Sequence, residues 1–324
     1  MYFIKKLLNP ELFQGKYQTK NYFEGWYYKL VTKDEKHSIA LIPGIAYDKE
    51  GKGHAFIQMI DRLTYRTEYY RFPINAFDFS GNSFDITIGN SNFKQNQLTI
   101  DLSKQAYPIE GHLTFNEIES FPKKLLRPGI MGPFSFVPFM ECYHGVVTLH
   151  QRLSGTLKIN QQTIDFTDGY GYIEKDWGRS FPDWWVWLQS NHFSEDKTSL
   201  MFSMAKIPWL GNHFTGFLSF LKHQEKLYLF ATYTGAKIKR MNYQEGQIDV
   251  EITDRNYQLN ISGHYDQSGI LKAPKNGLME RKIAESISSL IHVTLKDKTG
   301  KILFEDDGKN AGLEVVGKPL EDKK

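Results

Sequence analysis

Apolar and polar residues alternate along most of the chain. Ala55–Ile60 reads AFIQMI, Leu227–Thr232 reads LYLFAT and Gln247–Ile252 reads QIDVEI; Val146–Leu149 and Gln258–Ser262 follow the same rule. A period of two turns one set of side chains inward and the other outward, so these runs predict half-buried strands. Turn signals bound them at Asp48–Gly53 (DKEGKG), Ser80–Asn82, Ser154–Gly155 and Asp297–Gly300 (DKTG). Ile291–Lys296, the DKTG turn and Lys301–Glu305 read as a hairpin. Helical periodicity is scarce. Glu117–Leu126 predicts a short helix ending before Pro128, and Arg281–Leu290 fits a helix or a strand. Short strands with frequent turns predict an all-β chain of two barrel or sandwich domains with little helix.

Composition agrees. Aromatic residues make up 15% of the 324 positions, with 23 Phe, 18 Tyr and 6 Trp, and such residues favour pleated, half-buried surfaces. The formal charge of +3 leaves no basic arm or stripe, which argues against nucleic acid as a partner. Cys142 is the sole cysteine, so no intrachain disulfide forms, as fits a reducing compartment. The start, MYFIKKLLNPELF, has no apolar core of signal-peptide length and reads as unprocessed and cytoplasmic. Two apolar segments stand out, Gly129–Met140 (GIMGPFSFVPFM) and residues 207–221 (IPWLGNHFTGFLSFL). Their plain reading is a covered loop and a buried strand. Their sharper reading is a greasy rim where a lipid-soluble substrate enters, with peripheral membrane contact through the 129–140 loop.

Several chemistries are missing from the sequence. There is no P-loop, and Gly169-Tyr170-Gly171 lacks the third glycine of a dinucleotide loop. No GxSxG, HExxH or CxxC occurs. His144 and His150 share a strand face by parity, but no third ligand accompanies them, so neither metal nor cofactor is expected.

The densest segment is Asp168–Asn191, DGYGYIEKDWGRSFPDWWVWLQSN. In an extended strand Trp185, Trp187, Gln189 and Asn191 share one face, while Trp184, Val186, Leu188 and Ser190 share the other. An amide pair in line with two indoles suits a polar ligand group or a buried hydrogen-bond network. Glu174 and Asp176 occupy alternate positions and so face one way. By the same parity Glu24 aligns with Trp26 and Tyr28. A carboxyl held against Trp or Tyr is poorly solvated, its pKa rises, and it can keep a proton at neutrality. Such an acid can protonate an alkene, and aromatic faces can stabilise the resulting cation. The alternative for each acid is an ion pair with Lys175, Arg179 or Lys29, or a turn cap. Cys142 and His144 also share a face, but nothing in the sequence orients them as a nucleophile pair.

The segments Tyr22–Lys29 (YFEGWYYK), Gly132–Gly145 (GPFSFVPFMECYHG), Gly169–Asn191, Gly277–Ile283 (GLMERKI), Ile291–Val293 and Ala311–Gly317 (AGLEVVG) together resemble the tocopherol cyclase-like family. Tyr170–Gly178 (YGYIEKDWG) is also similar to the GY-x-[DE]-x-[ND]-WG stretch of a wider lipocalin-like group, which includes carotenoid 1,2-hydratases and some Diels–Alder cyclases. The family's plant members close the chromanol ring of tocopherol from a prenylated quinol. The resemblance implies two lipocalin-like β domains, residues 1–180 and 181–324, and a lipophilic small-molecule partner. It implies a cofactor-free, metal-free cyclase of the isomerase type. Asp176, Glu174 or Glu24 would donate the proton, and a substrate hydroxyl would capture the cation. Trp26, Tyr28, Trp177, Trp185 and Trp187 would line the substrate, with Gln189 and Asn191 orienting its polar head. A hydratase on an isoprenoid, a non-catalytic carrier of a hydrophobic ligand and a carbohydrate binder are the alternatives.

Overall fold

A computed structural model describes residues 2–209 and 211–317. Strand accounts for 63% of it and helix for 6%, in two large antiparallel sheets. The chain divides into two compact units. The first runs to Phe181 and takes in Leu271–Lys282; the second holds Pro182–Ile270 and resumes at Ile283.

The first sheet has twelve strands: β1 (Tyr22–Val31), β2 (Ser38–Tyr47), β3 (Gly53–Asp61), β4 (Thr67–Pro73), β5 (Phe77–Phe79), β6 (Asp85–Ile88), β7 (Ser91–Lys94), β8 (Gln97–Asp101), β9 (Ile109–Ser120), β10 (Cys142–Ile159), β11 (Gln162–Asp165) and β12 (Tyr170–Gly178). Its order is β4-β3-β2-β1-β12-β10-β9-β8-β7-β6-β5, with β11 paired to β10. The first strand therefore pairs with the last, through Tyr28↔Ile173 and Trp26↔Lys175. The two edge strands are consecutive in sequence, joined by the 3₁₀ turn Ile74–Ala76, so the sheet curls back on itself. Its interior is filled. Tyr28 lies 5.7 Å from Phe93 and 6.3 Å from Phe115, ring centre to ring centre, and donates a hydrogen bond to the Lys94 carbonyl oxygen across the core.

The second sheet follows the same plan with ten strands: β13 (Trp185–Ser190), β14 (Ser199–Trp209), β15 (Asn212–His223), β16 (Lys226–Ala231), β17 (Lys237–Gln244), β18 (Gln247–Thr253), β19 (Tyr257–His264), β20 (Gly269–Lys275), β21 (Leu278–Asp297) and β22 (Ile302–Val316). Again the first strand, β13, pairs with the last, β22, and the edge strands β16 and β17 are consecutive. Val186, Leu188, Phe202, Ile261, Val293 and Leu313 belong to its apolar core.

Residues 271–282 lie on the outer face of β1–β3. Gln58 exchanges two hydrogen bonds with the backbone of Lys272, and Met279 packs with Phe23 and Phe56. Gly277 has φ +76°, and a Cβ there would fall 1.8 Å from the Tyr47 carbonyl oxygen, so no other residue fits.

Glu117–Ser120 is the end of β9, not a helix, because pairing with β10 (Thr148↔Ser120) satisfies its backbone. Arg281–Leu290 is strand, within β21, and the 291–305 hairpin is present. A short helix, α1 (Tyr2–Leu8), stands where no element was expected. In the 129–140 loop Ile130 and Met131 are covered, whereas Phe136 and Phe139 are exposed. Of residues 207–221, Leu210 lies outside the described residues, Trp209 is exposed, and Phe217, Phe220 and Leu221 are buried.

Candidate functional site

On β12 the side chains alternate between the barrel core and the opposite face. Ile173 and Lys175 point into the barrel, so Tyr172, Glu174 and Asp176 point away from it. Pairing with β10 sets His144 directly across from Asp176. The imidazole Nδ1 is 2.9 Å from an Asp176 oxygen, and Nε2 is 3.7 Å from a Glu174 oxygen. Tyr172 donates its phenol hydrogen to that same Glu174 oxygen at 2.8 Å. Exposure is graded across the group: the side chains of Glu174, His144 and Asp176 are 5%, 12% and 25% accessible. Burial opposes charge on His144, but the Asp176 and Glu174 carboxylates outweigh it and raise the pKa to about 9. The ring is therefore an imidazolium at neutral pH. Burial, with a smaller push from Glu174, raises the Tyr172 phenol well above its usual range, so its proton stays in place. Burial, then Asp176, likewise raises the Cys142 thiol, which removes it as a nucleophile.

The donor atoms of His144, Glu174 and Asp176 lie within 4.8 Å of one another. Spacing along the sequence had suggested no third partner for His144; the β10–β12 register supplies two. Asp176 lies at Nδ1 and Glu174 at Nε2 of the ring, and the three groups are close enough together to ligate a metal ion. The arrangement as it stands is a proton network.

Beside Asp176 the sheet lacks bulk. Gly25 is its partner on β1, and Gly44 is the partner of Gly25 on β2. Phe56 lies over Gly44 and reaches to within 3.9 Å of where a Gly25 Cβ would be. Tyr27 is the β1 partner of Glu174 and shares its face. Next to Asp176 this face thus carries Gly25 and the buried rings of Tyr27 and Phe56, neither of which the sequence had nominated.

Glu24 occupies the opposite face of β1, fully buried. It pairs with the Lys175 ammonium at 2.6 Å and accepts hydrogen bonds from the backbone N–H groups of Gln14 and Gly15 and from the Tyr22 hydroxyl. Lys175 also donates to the carbonyl oxygens of Pro10 and Leu12, and sits 4.7 Å and 4.8 Å from the Trp26 and Trp177 ring centres. This pair anchors residues 9–15 against one end of the barrel, so Glu24 is a structural anchor rather than an available proton donor. Trp26 and Tyr28 share that face. Both are fully buried in the filled core, and their polar atoms are bonded to the Glu11 and Lys94 carbonyl oxygens. Trp177 stacks on Tyr143, centres 5.4 Å apart, on the face opposite Glu174 and Asp176.

Trp185, Trp187, Gln189 and Asn191 lie in the second unit, all buried. The first three share the β13 face opposite Val186 and Leu188, which enter the core. Trp185 Nε1 donates to the Glu314 carboxylate, and the Trp187 ring lies against Gly312, where a Cβ would collide with it.

A sequence model of the tocopherol cyclase-like family matches residues 106–317. The chain belongs to that family. The matched region contains His144, Tyr172, Glu174 and Asp176, together with the whole tryptophan-rich β13 segment. Chloroplastic tocopherol cyclase of Zea mays is 28% identical over 105 residues, which is 32% of this chain and 20% of the maize protein's length. Solved structures of CghA share the fold. One superposes with a TM-score of 0.55 at 9% identity, covering 93% of this chain and 90% of that one. Another, with Sch210972 bound, gives 0.53 at 9% identity, covering 91% and 88%. At that identity the likeness concerns architecture alone.

Proposed function

We propose that this member of the tocopherol cyclase-like family is an acid catalyst that closes a ring on a prenylated quinol or another lipophilic isoprenoid. The observation that carries the reading is the Asp176–His144–Glu174 network, in which Asp176 is the more accessible acid. Transfer of the His144 Nδ1 proton to Asp176 presents a neutral carboxylic acid at the open side. That acid protonates a substrate alkene carbon. The substrate hydroxyl oxygen then attacks the cation and forms the ether bond. The hydroxyl proton returns to Asp176 and His144, so no proton is consumed and no redox partner is required. Glu174, held by Tyr172, keeps the imidazolium charge balanced through the cycle. Tyr27, beside Glu174 on the same face, offers a ring to the cation. The maize relative is named a tocopherol cyclase, which supports ring closure, and the Asp176–His144–Glu174 network supports acid chemistry over simple carriage.

The test is incubation of the protein with a prenylated benzoquinol and mass spectrometry for a product of unchanged mass that has lost its free alkene. Asp176→Asn should keep the fold and lower turnover by about 10² or more, the effect of losing a general acid. Chelation should leave turnover unchanged. Absence of any cyclised product from a series of prenylated quinols, or parent-rate turnover by Asp176→Asn, would overturn the assignment.

A further inference from the structure

Turn tips in proteins are ordinarily polar, with Gly, Asn, Asp, Pro or Ser at the bend. The loop between β9 and β10 breaks that rule. Lys124 and Arg127 exchange two backbone hydrogen bonds, of 2.8 Å and 2.9 Å, which closes a tight turn with Leu125 and Leu126 at its tip. Those leucines are 81% and 74% exposed, and Phe139, further along the same loop, is 98% exposed. Cations flank the tip: Lys123 and Lys124 are exposed, and Arg127 is half-buried over the Phe121 ring.

The N-terminal segment extends this surface. Lys123 reaches Asn9 and Glu11, just past α1, at 3.0 Å and 2.7 Å. On α1 and the residues after it, Phe3, Ile4, Leu8 and Tyr17 are exposed, interleaved with Lys5, Lys6 and Lys16. Glu11 is the acid on this stretch, and Lys123 neutralises it. Exposed large apolar side chains surrounded by cations are unfavourable against water and favourable against an interface with hydrocarbon beneath and negative charge above.

The loop is also joined to the candidate site. The His144 backbone N–H donates to the Met131 sulfur, and the Tyr143 hydroxyl donates to the Val137 carbonyl oxygen at 2.7 Å. The segment that carries the exposed leucines and Phe139 thus shares its base with the strand that carries the imidazole.

We infer that the Leu125–Leu126 turn, Phe139 and the α1 segment form a docking surface for an anionic lipid bilayer. The leucines and phenylalanines enter the headgroup–acyl boundary, and the exposed Lys124 and Lys16 meet the lipid phosphates, while Lys123 and Lys6 hold the N-terminal segment through Glu11 and the Gln14 carbonyl oxygen. The assignment stands apart from the acid chemistry, because it concerns where the protein resides rather than what it converts.

Vesicle flotation tests it without any turnover. The full chain should float with vesicles of phosphatidylcholine containing phosphatidylglycerol, and at least tenfold less with phosphatidylcholine alone. The double variant Leu125→Ser/Leu126→Ser should lose binding to the mixed vesicles at least tenfold, with its unfolding midpoint unchanged because both side chains already face water. Phe139→Ser should weaken binding in the same direction, and Lys124→Glu should weaken it and flatten its salt dependence. Failure of the full chain to float with the mixed vesicles would overturn the inference. So would flotation of the double variant equal to the parent's, which would place lipid contact elsewhere or leave this surface to a protein partner.

Discussion

A single histidine sets the chemistry of the candidate site. His144 lies between two carboxylates that raise its pKa to about 9, against a burial effect that pulls the other way. An unfolded histidine titrates near ~6.5. A pKa raised on folding means stabilisation that is complete below the unfolded value and fades as pH climbs through the folded one. The contribution is roughly 3 kcal/mol at pH 6. His144→Gln should therefore be less stable than the parent by about that amount at pH 6, and the gap should close by pH 10. Urea unfolding at both pH values measures it. A gap that is constant or widens with pH would mean that the ring is neutral in the folded protein. Asp176 and Glu174 were legible as candidates because alternate positions on a strand share a face. Their use of His144 was not, since no periodicity links β10 to β12.

At the scale of the element, β1 and β12 show how one strand pair can serve structure on one face and chemistry on the other. The inner face carries Glu24 and Lys175, both 0% exposed, with the N-terminal segment bonded to each. Burying two charges is costly, and it is tolerated here because four donors satisfy Glu24 and two carbonyl oxygens and two indoles surround Lys175. Removing one partner strands the other. Lys175→Met should lower stability by about 3–5 kcal/mol, while Glu24→Gln with Lys175→Met should recover part of the loss. Denaturant midpoints of the parent, single and double variants decide this. A single variant no less stable than the double would show that the pair is dispensable. The sequence named Lys175 as one alternative for the nearby acids. It could not show that Lys175 bonds Glu24, because the two are brought together by the β1–β12 register and by residues 9–15.

Over the whole molecule the two sheets share one plan, with the first strand paired to the last and consecutive strands at the edges. The aromatic-rich strands β1 and β13 each open their sheet. Pairing the first strand with the last defers closure until the intervening chain is ordered, which costs loop entropy before contacts repay it. Refolding from urea should accordingly take milliseconds to seconds or longer. Stopped-flow tryptophan fluorescence reads it, and complete recovery within a sub-millisecond dead time would contradict the topology argument.

The sequence by itself determined what depends on neighbouring residues: the all-β class from period-two alternation, the shared face of Glu174 and Asp176, and the family from motifs distributed along the chain. Tertiary structure decided everything that depends on register between distant strands. It placed His144 against Asp176, set Gly25 and Gly44 in line beside it, spent Glu24, Trp26 and Tyr28 on the barrel interior, and turned Glu117–Ser120 from a helix into the end of β9. The reason is physical. Alternation is a property of one backbone and survives in any fold that buries one face, whereas a cross-strand pair exists only once two remote segments have closed the same sheet.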